Sequence, residues 1–154
     1  MRFFLLALFA LILSLFLAGP LDAQDTAAYQ TLVHEGVIRT YTLHIPADLD
    51  SSYKHALVIV LHPASSSGKA MEALTGFDAE ADEQGFFVVY PDSRTVTWDD
   101  YRSRETQGMT PVDDVGFLQS LIVNLAENYP IDPEQVHLVG LANGGSLALR
   151  PACD

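Results

Sequence analysis

The chain has 154 residues, a formal net charge of −12 and one cysteine, Cys153. That length supports about one domain. The acidic balance excludes nucleic acid and anionic membrane surfaces as partners, and a lone cysteine excludes an internal disulfide.

Met1-Arg2 supplies a short positive start, and Phe3 to Ala18 is apolar apart from Ser14. Gly19-Pro20 breaks the run, and Leu21-Asp22-Ala23 offers a small residue for cleavage. Residues 1–23 read as a secretory signal peptide, so the chain is expected to be secreted, extracellular or periplasmic, with residues 24–154 as the mature part. The run is shorter than the ~20 residues a spanning helix needs; an uncleaved anchor is the alternative. Removing Arg2 and Asp22 together leaves the charge unchanged, and no membrane contact is expected after cleavage.

Gln24–Tyr29 reads as a frayed lead-in. Thr31–His34 and Val37–Ile45 form a hairpin around Glu35-Gly36; in its second strand Tyr41, Leu43 and Ile45 alternate with Thr42 and His44, the period of a half-buried strand. Ala56–Leu61, ALVIVL, is a continuous apolar run, expected of a strand covered on both faces. A small-residue loop from His62 to Gly68 follows it. Lys69–Gln84 reads as helix, broken near Thr75-Gly76, with its acidic residues on a wet face. Phe86–Tyr90 is another buried strand. Asp92–Pro111 is a long polar loop holding Trp98 and Tyr101, and loops of that length are usually functional or disordered. Asp113-Asp114 caps a helix whose buried stripe is Phe117, Leu118, Leu121, Ile122 and Leu125. Strands alternating with helices predict an α/β fold: a mostly parallel sheet with helices on both faces and an N-terminal β-hairpin.

Val136–Val139 reads as a short buried strand that runs into a tight glycine-rich turn and a helix. That is the setting of the nucleophile elbow, G-x-S-x-G. Gly140, Leu141, Asn143 and Gly144 fill the pattern, and the serine position holds Ala142. A methyl group has no lone pair and no proton to lose, so it cannot attack a carbonyl.

These segments together resemble secreted α/β-hydrolase esterases of the polyhydroxybutyrate-depolymerase and feruloyl-esterase type. Leu61-His62 with its small-residue loop resembles that group's oxyanion loop. Thr75–Asp92, Asp113–Leu118 and Ile131–Gly145 resemble its helix and strand, the start of its pre-elbow helix, and its elbow; Arg150 with Ala152-Cys153 resembles the end of the elbow helix. The resemblance implies a truncated α/β-hydrolase and serine ester hydrolysis without metal or cofactor. The implied substrate is a polyester, or a feruloyl or acetyl ester on a polysaccharide. It puts the nucleophile at position 142 and the oxyanion hole on the backbone N–H groups of Ala64 and Asn143. Such donors stabilise a transition state by roughly 3–4 kcal/mol each. It places His62, Trp98 and Tyr101 in the substrate cleft.

The departures imply a chain inactive as it stands. Ala142 replaces the serine. Pro63 stands where the group has glycine, and Pro151 interrupts the elbow helix. The acid and histidine of this fold follow the serine in the sequence, and no histidine follows Ala142 here. A non-catalytic secreted binding protein that retains the cleft is the alternative. Ser146 and Ser65–Ser67 are not expected to substitute as nucleophiles. Ser67-Gly68-Lys69 fails the phosphate-loop pattern because Pro63 and Ala70 occupy its defining positions. The histidines at 34, 44, 55, 62 and 137 show no metal-binding spacing. As the last strand of the sheet, Val136–Val139 would be an open edge and a site of self-association.

Overall fold

The fold is known from a computed structural model that describes residues 28–100 and 110–150. The signal-peptide reading, Tyr101, Pro151 and Cys153 lie outside the described residues.

Strand β1 (Ala28–His34) pairs antiparallel with β2 (Val37–His44), His34 opposite Val37. Glu35 (φ 49°) and Gly36 (φ 75°) form the connection. Positive φ at both central residues matches the twist of the flanking strands. β2 runs antiparallel to β4 (Phe87–Pro91), pairing Tyr41 with Pro91 and His44 with Val88. β3 (His55–Leu61) runs parallel to β4 on one side and to β5 (Ile131–Gly140) on the other, with Leu61 opposite Gly140. The sheet order is β1-β2-β4-β3-β5.

Among the described residues four helices accompany the strands, three of them in the crossovers and one after the last strand. Helix α1 (Gly68–Thr75) is capped by the Ser67 side chain, which accepts from Ala70 N–H at 3.2 Å. Gly76 at φ 65° ends it and begins α2 (Phe77–Gln84), the break expected from the sequence. Helix α3 (Asp114–Asn128) follows the long loop, and α4 (Asn143–Leu149) follows β5.

The period of two sorts the strands between two cores. Leu57, Ile59, Leu61, Phe87 and Val89 join Phe117, Leu118, Leu121 and Leu125 of α3 and Leu147 of α4. Val60, Val88 and Tyr90 face the other way, onto Met71 of α1 and Ala81 of α2. Each fully buried aliphatic or aromatic side chain contributes about 1.5–3 kcal/mol.

Three expectations need correction. β2 is not half-buried through its second half: Thr42 and His44 are buried like Tyr41 and Leu43. His44 is covered by α2, whose Asp82 accepts a hydrogen bond from it at 2.9 Å, and α1 packs on the same strand. The acidic face of α2 is thus partly engaged, for Asp78 also accepts from Tyr90 Oη at 2.6 Å. Burial and that bond push the Tyr90 phenol above its usual range. Val136–Val139 is not a buried strand. β5 has one paired neighbour among the described residues, and its side chains are half-buried or exposed along Val136–Val139.

Candidate functional site

Three loops meet where the parallel strands end at their carboxyl edge, the usual place for a site in such sheets. The loop after β5 is the sharpest. Ala142 sits at φ 50°, ψ −113°, a conformation that costs an L-residue about 1–3 kcal/mol. The chain reverses there, and α4 begins at once. Ser146 N–H returns to the Ala142 carbonyl at 3.0 Å, and Gly144 N–H to that of Leu141 at 3.0 Å. Two glycines permit the bend. A Cβ on Gly140 would lie 2.4 Å from the Gly144 carbonyl carbon, and one on Gly144 would lie 2.4 Å from the Leu61 oxygen. The elbow read from G-x-x-x-G is therefore built, with the exposed Ala142 methyl at its tip.

The loop after β3 is fastened to the elbow. Leu141 N–H donates to the Leu61 carbonyl at 3.2 Å. Beyond it, the buried His62 ring bonds the Pro63 carbonyl through Nδ1 at 2.7 Å and accepts the Ser93 N–H at Nε2, 3.0 Å away. Those two partners fix the proton on Nδ1 and occupy both nitrogens. Ala64 follows, exposed, and Ser65 at φ 59° ties the loop to the Val96 carbonyl at 2.6 Å.

The loop after β4 supplies Trp98, which is fully buried. Its indole Nε1 donates to the His62 carbonyl at 2.8 Å, and the two rings stand 4.9 Å apart. Its backbone N–H donates to Asn143 Oδ1 at 2.7 Å, and its carbonyl accepts from Asn143 Nδ2 at 3.2 Å. His62 and Trp98 are both buried, and Trp98 bonds the His62 carbonyl on one side and the Asn143 side chain of the elbow on the other. Gly144 is brought against the Leu61–His62 backbone at the start of the His62–Ala64 loop; Tyr101 lies outside the described residues.

Sequence reasoning missed the polar frame behind these loops. Asp113 is the helix cap, accepting from Gly116 N–H at 2.9 Å, but Asp114 is not. Asp114 is buried against Arg39, Oδ1 to Nη2 at 2.7 Å, with side-chain exposures of 1% and 3%. Its Oδ2 accepts from Asp99 N–H at 2.7 Å, and Arg39 lies 3.9 Å over the Phe117 ring. Burial pushes the Asp114 carboxyl above its usual range, against the pull of the Asp99 N–H and Arg39; burial likewise lowers Arg39. A carboxyl raised in this way gives up stability as pH climbs from its ordinary range through its folded value. The retained charge is worthwhile only with its partners in place. Arg150 extends the frame, donating from Nη1 to the Asp99 carbonyl at 3.0 Å. Asp92, at the end of β4, binds Gly68 N–H, the Thr40 hydroxyl and the Tyr29 hydroxyl, each at 2.8 Å. Period-two patterning gave Arg39 no buried partner, and nothing local pairs positions 39 and 114.

Chemically, the arrangement has a bend that presents one side chain beside two loop backbones, and the presented side chain is inert. Ser146, the nearest hydroxyl on α4, approaches the Ala142 carbonyl at 3.4 Å and so turns back along the helix.

A sheet ordered 1-2-4-3-5, with a strand–elbow–helix at its fifth strand and helices on both faces, is the α/β-hydrolase fold. No protein-family model matches the chain. The chain is similar to the putative esterase NocK of Nocardia uniformis subsp. tsuyamanensis, 30% identical over 134 residues, which is 86% of this chain and 38% of that protein. It is also similar to the bifunctional acetylxylan esterase/xylanase XynS20E of Neocallimastix patriciarum, 28% identical over 105 residues, 67% of this chain and 14% of that protein. Among solved structures, an acetyl xylan esterase from Aspergillus awamori superposes with a TM-score of 0.60 at 17% identity, covering 76% of this chain and 43% of that one. The chain thus spans well under half the length of the curated relatives it matches.

Proposed function

We propose that this chain is part of a secreted carboxylic-ester hydrolase scaffold that does not itself perform acyl transfer. The observation that carries the reading is Ala142 at φ 50°, ψ −113°: the strained bend is kept, and the group it exists to present is a methyl. An acyl-enzyme needs an oxygen or sulfur nucleophile at that point with a base beside it. His62, the histidine braced against the elbow, has both ring nitrogens engaged. Export rests on the apolar N-terminal stretch alone. Acetyl or feruloyl esters of plant polysaccharides are favoured over polyesters as the ligand class, because XynS20E, an acetylxylan esterase/xylanase, matches 105 residues of the chain and an acetyl xylan esterase shares its fold. The Ala64 and Asn143 backbone N–H groups would receive the ester carbonyl. Self-association through the β5 edge is supported by its single paired neighbour among the described residues and by the exposed Val139.

Hydrolysis of p-nitrophenyl acetate and butyrate tests the reading. The chain is expected to release nitrophenol no faster than a heat-denatured control, and Ala142→Ser alone is expected to leave that rate unchanged. Saturable turnover by the unaltered chain would overturn it.

A further inference from the structure

At the edge of the sheet opposite the elbow, the β1–β2 turn lies against the start of α3. His34 Nδ1 is 3.1 Å from Ser120 Oγ. That hydroxyl already donates its own hydrogen to the Gly116 carbonyl at 2.9 Å, so it can only accept from the ring. The proton of a neutral His34 therefore sits on Nδ1, and the lone pair is on Nε2. Nε2 is buried and makes no hydrogen bond, although Asp113 Oδ2 stands 3.4 Å from it. A lone pair and an anionic oxygen at that separation repel unless something positive lies between them. Glu35, on the exposed turn, brings a third donor: ligand atoms of His34, Glu35 and Asp113 all lie within 4.8 Å of one another.

We propose that His34, Glu35 and Asp113 bind a first-row divalent cation of the zinc class, clamping the hairpin turn to the first turn of α3. Imidazole nitrogen with two carboxylates is a donor set that zinc, cobalt and nickel accept, water completing the shell. Ser120 is the outer partner that fixes the ring tautomer, as ligating histidines generally require. Arg39 borders the same hollow, but its charge is taken up by Asp114. Arg94 also borders it and is exposed, so its charge is solvated. The site escapes sequence inspection because its donors come from a hairpin turn and a distant helix cap.

Titration of the full-length, tag-free chain with Zn2+ and Co2+ tests the assignment. One equivalent of Co2+ is expected to give the visible absorption of a low-symmetry site, and Zn2+ is expected to raise the thermal midpoint, because a ligand bound only by the folded state stabilises it. His34→Gln, Glu35→Gln and Asp113→Asn should each weaken binding roughly tenfold or more. His137→Gln, on the exposed face of β5, should not. Glu35 is on the surface and asparagine caps a helix as well as aspartate, so those two variants remain folded and informative even if His34→Gln does not. Binding weaker than about 1 mM, or equal binding by the three variants and the unaltered chain, would overturn the proposal.

Discussion

Asp114→Ala is expected to cost about 3–5 kcal/mol of folding stability, read as a fall in the urea midpoint at unchanged slope. The carboxylate is buried to 1%, and its removal leaves Arg39, itself 3% exposed, as an unpaired charge in the core. It also strips the Asp99 N–H of its acceptor and so frees the loop that carries Trp98 to the elbow. Arg39 is ill placed to recover, because its Nε already lacks a partner. The paired substitution Arg39→Met with Asp114→Leu should restore most of the loss. A matched apolar pair carries no desolvation cost, whereas half of an ion pair carries nearly all of it. A single-variant loss below about 1 kcal/mol, the range of a surface pair, would contradict the burial described.

Gly144→Ala is expected to be nearly as damaging, about 3 kcal/mol, at the upper end for overpacking. The added methyl would fall 2.4 Å from the Leu61 oxygen and 2.6 Å from that of His62. Both are backbone atoms of the strand end and loop that the elbow leans on, so neither can swing aside as a side chain would. The comparison is Gly36→Ala, where nothing lies within 4 Å and the positive φ alone is at stake; there the loss should be about 1 kcal/mol. Equal midpoint shifts for the two variants would show that α4 does not press against β3.

Much of this architecture is legible in the residues because local signals agree with the fold. The hairpin turn at Glu35-Gly36, the helix break at Gly76 and the glycines flanking position 142 each require backbone freedom, and each is found at positive φ or under a close backbone approach. Burial was harder to read. Thr42 and His44 look solvent-facing by alternation, yet both are buried, His44 against α2, and no local rule says which helix returns over which strand. The same limit hid the site's support. Asp113 and Asp114 look alike in sequence; one caps the helix at the surface and the other is the deepest acid described, because Arg39 from a distant strand reaches only the second. Asn143 was expected to act through its backbone, but its side chain also locks the Trp98 loop through two hydrogen bonds. Long-range pairing of this kind is set by topology, which a one-dimensional pattern does not contain.

The central claim is that the elbow stands while nothing on it can form a covalent bond to an acyl or phosphoryl group. Exposure of the native chain to a fluorophosphonate probe, followed by peptide mapping, tests this most directly. No probe adduct is expected on any peptide from Val136 to Arg150 or on the Ser65–Ser67 loop. A stoichiometric adduct on Ser146 or on one of the loop serines, lost on denaturation before labelling, would contradict it.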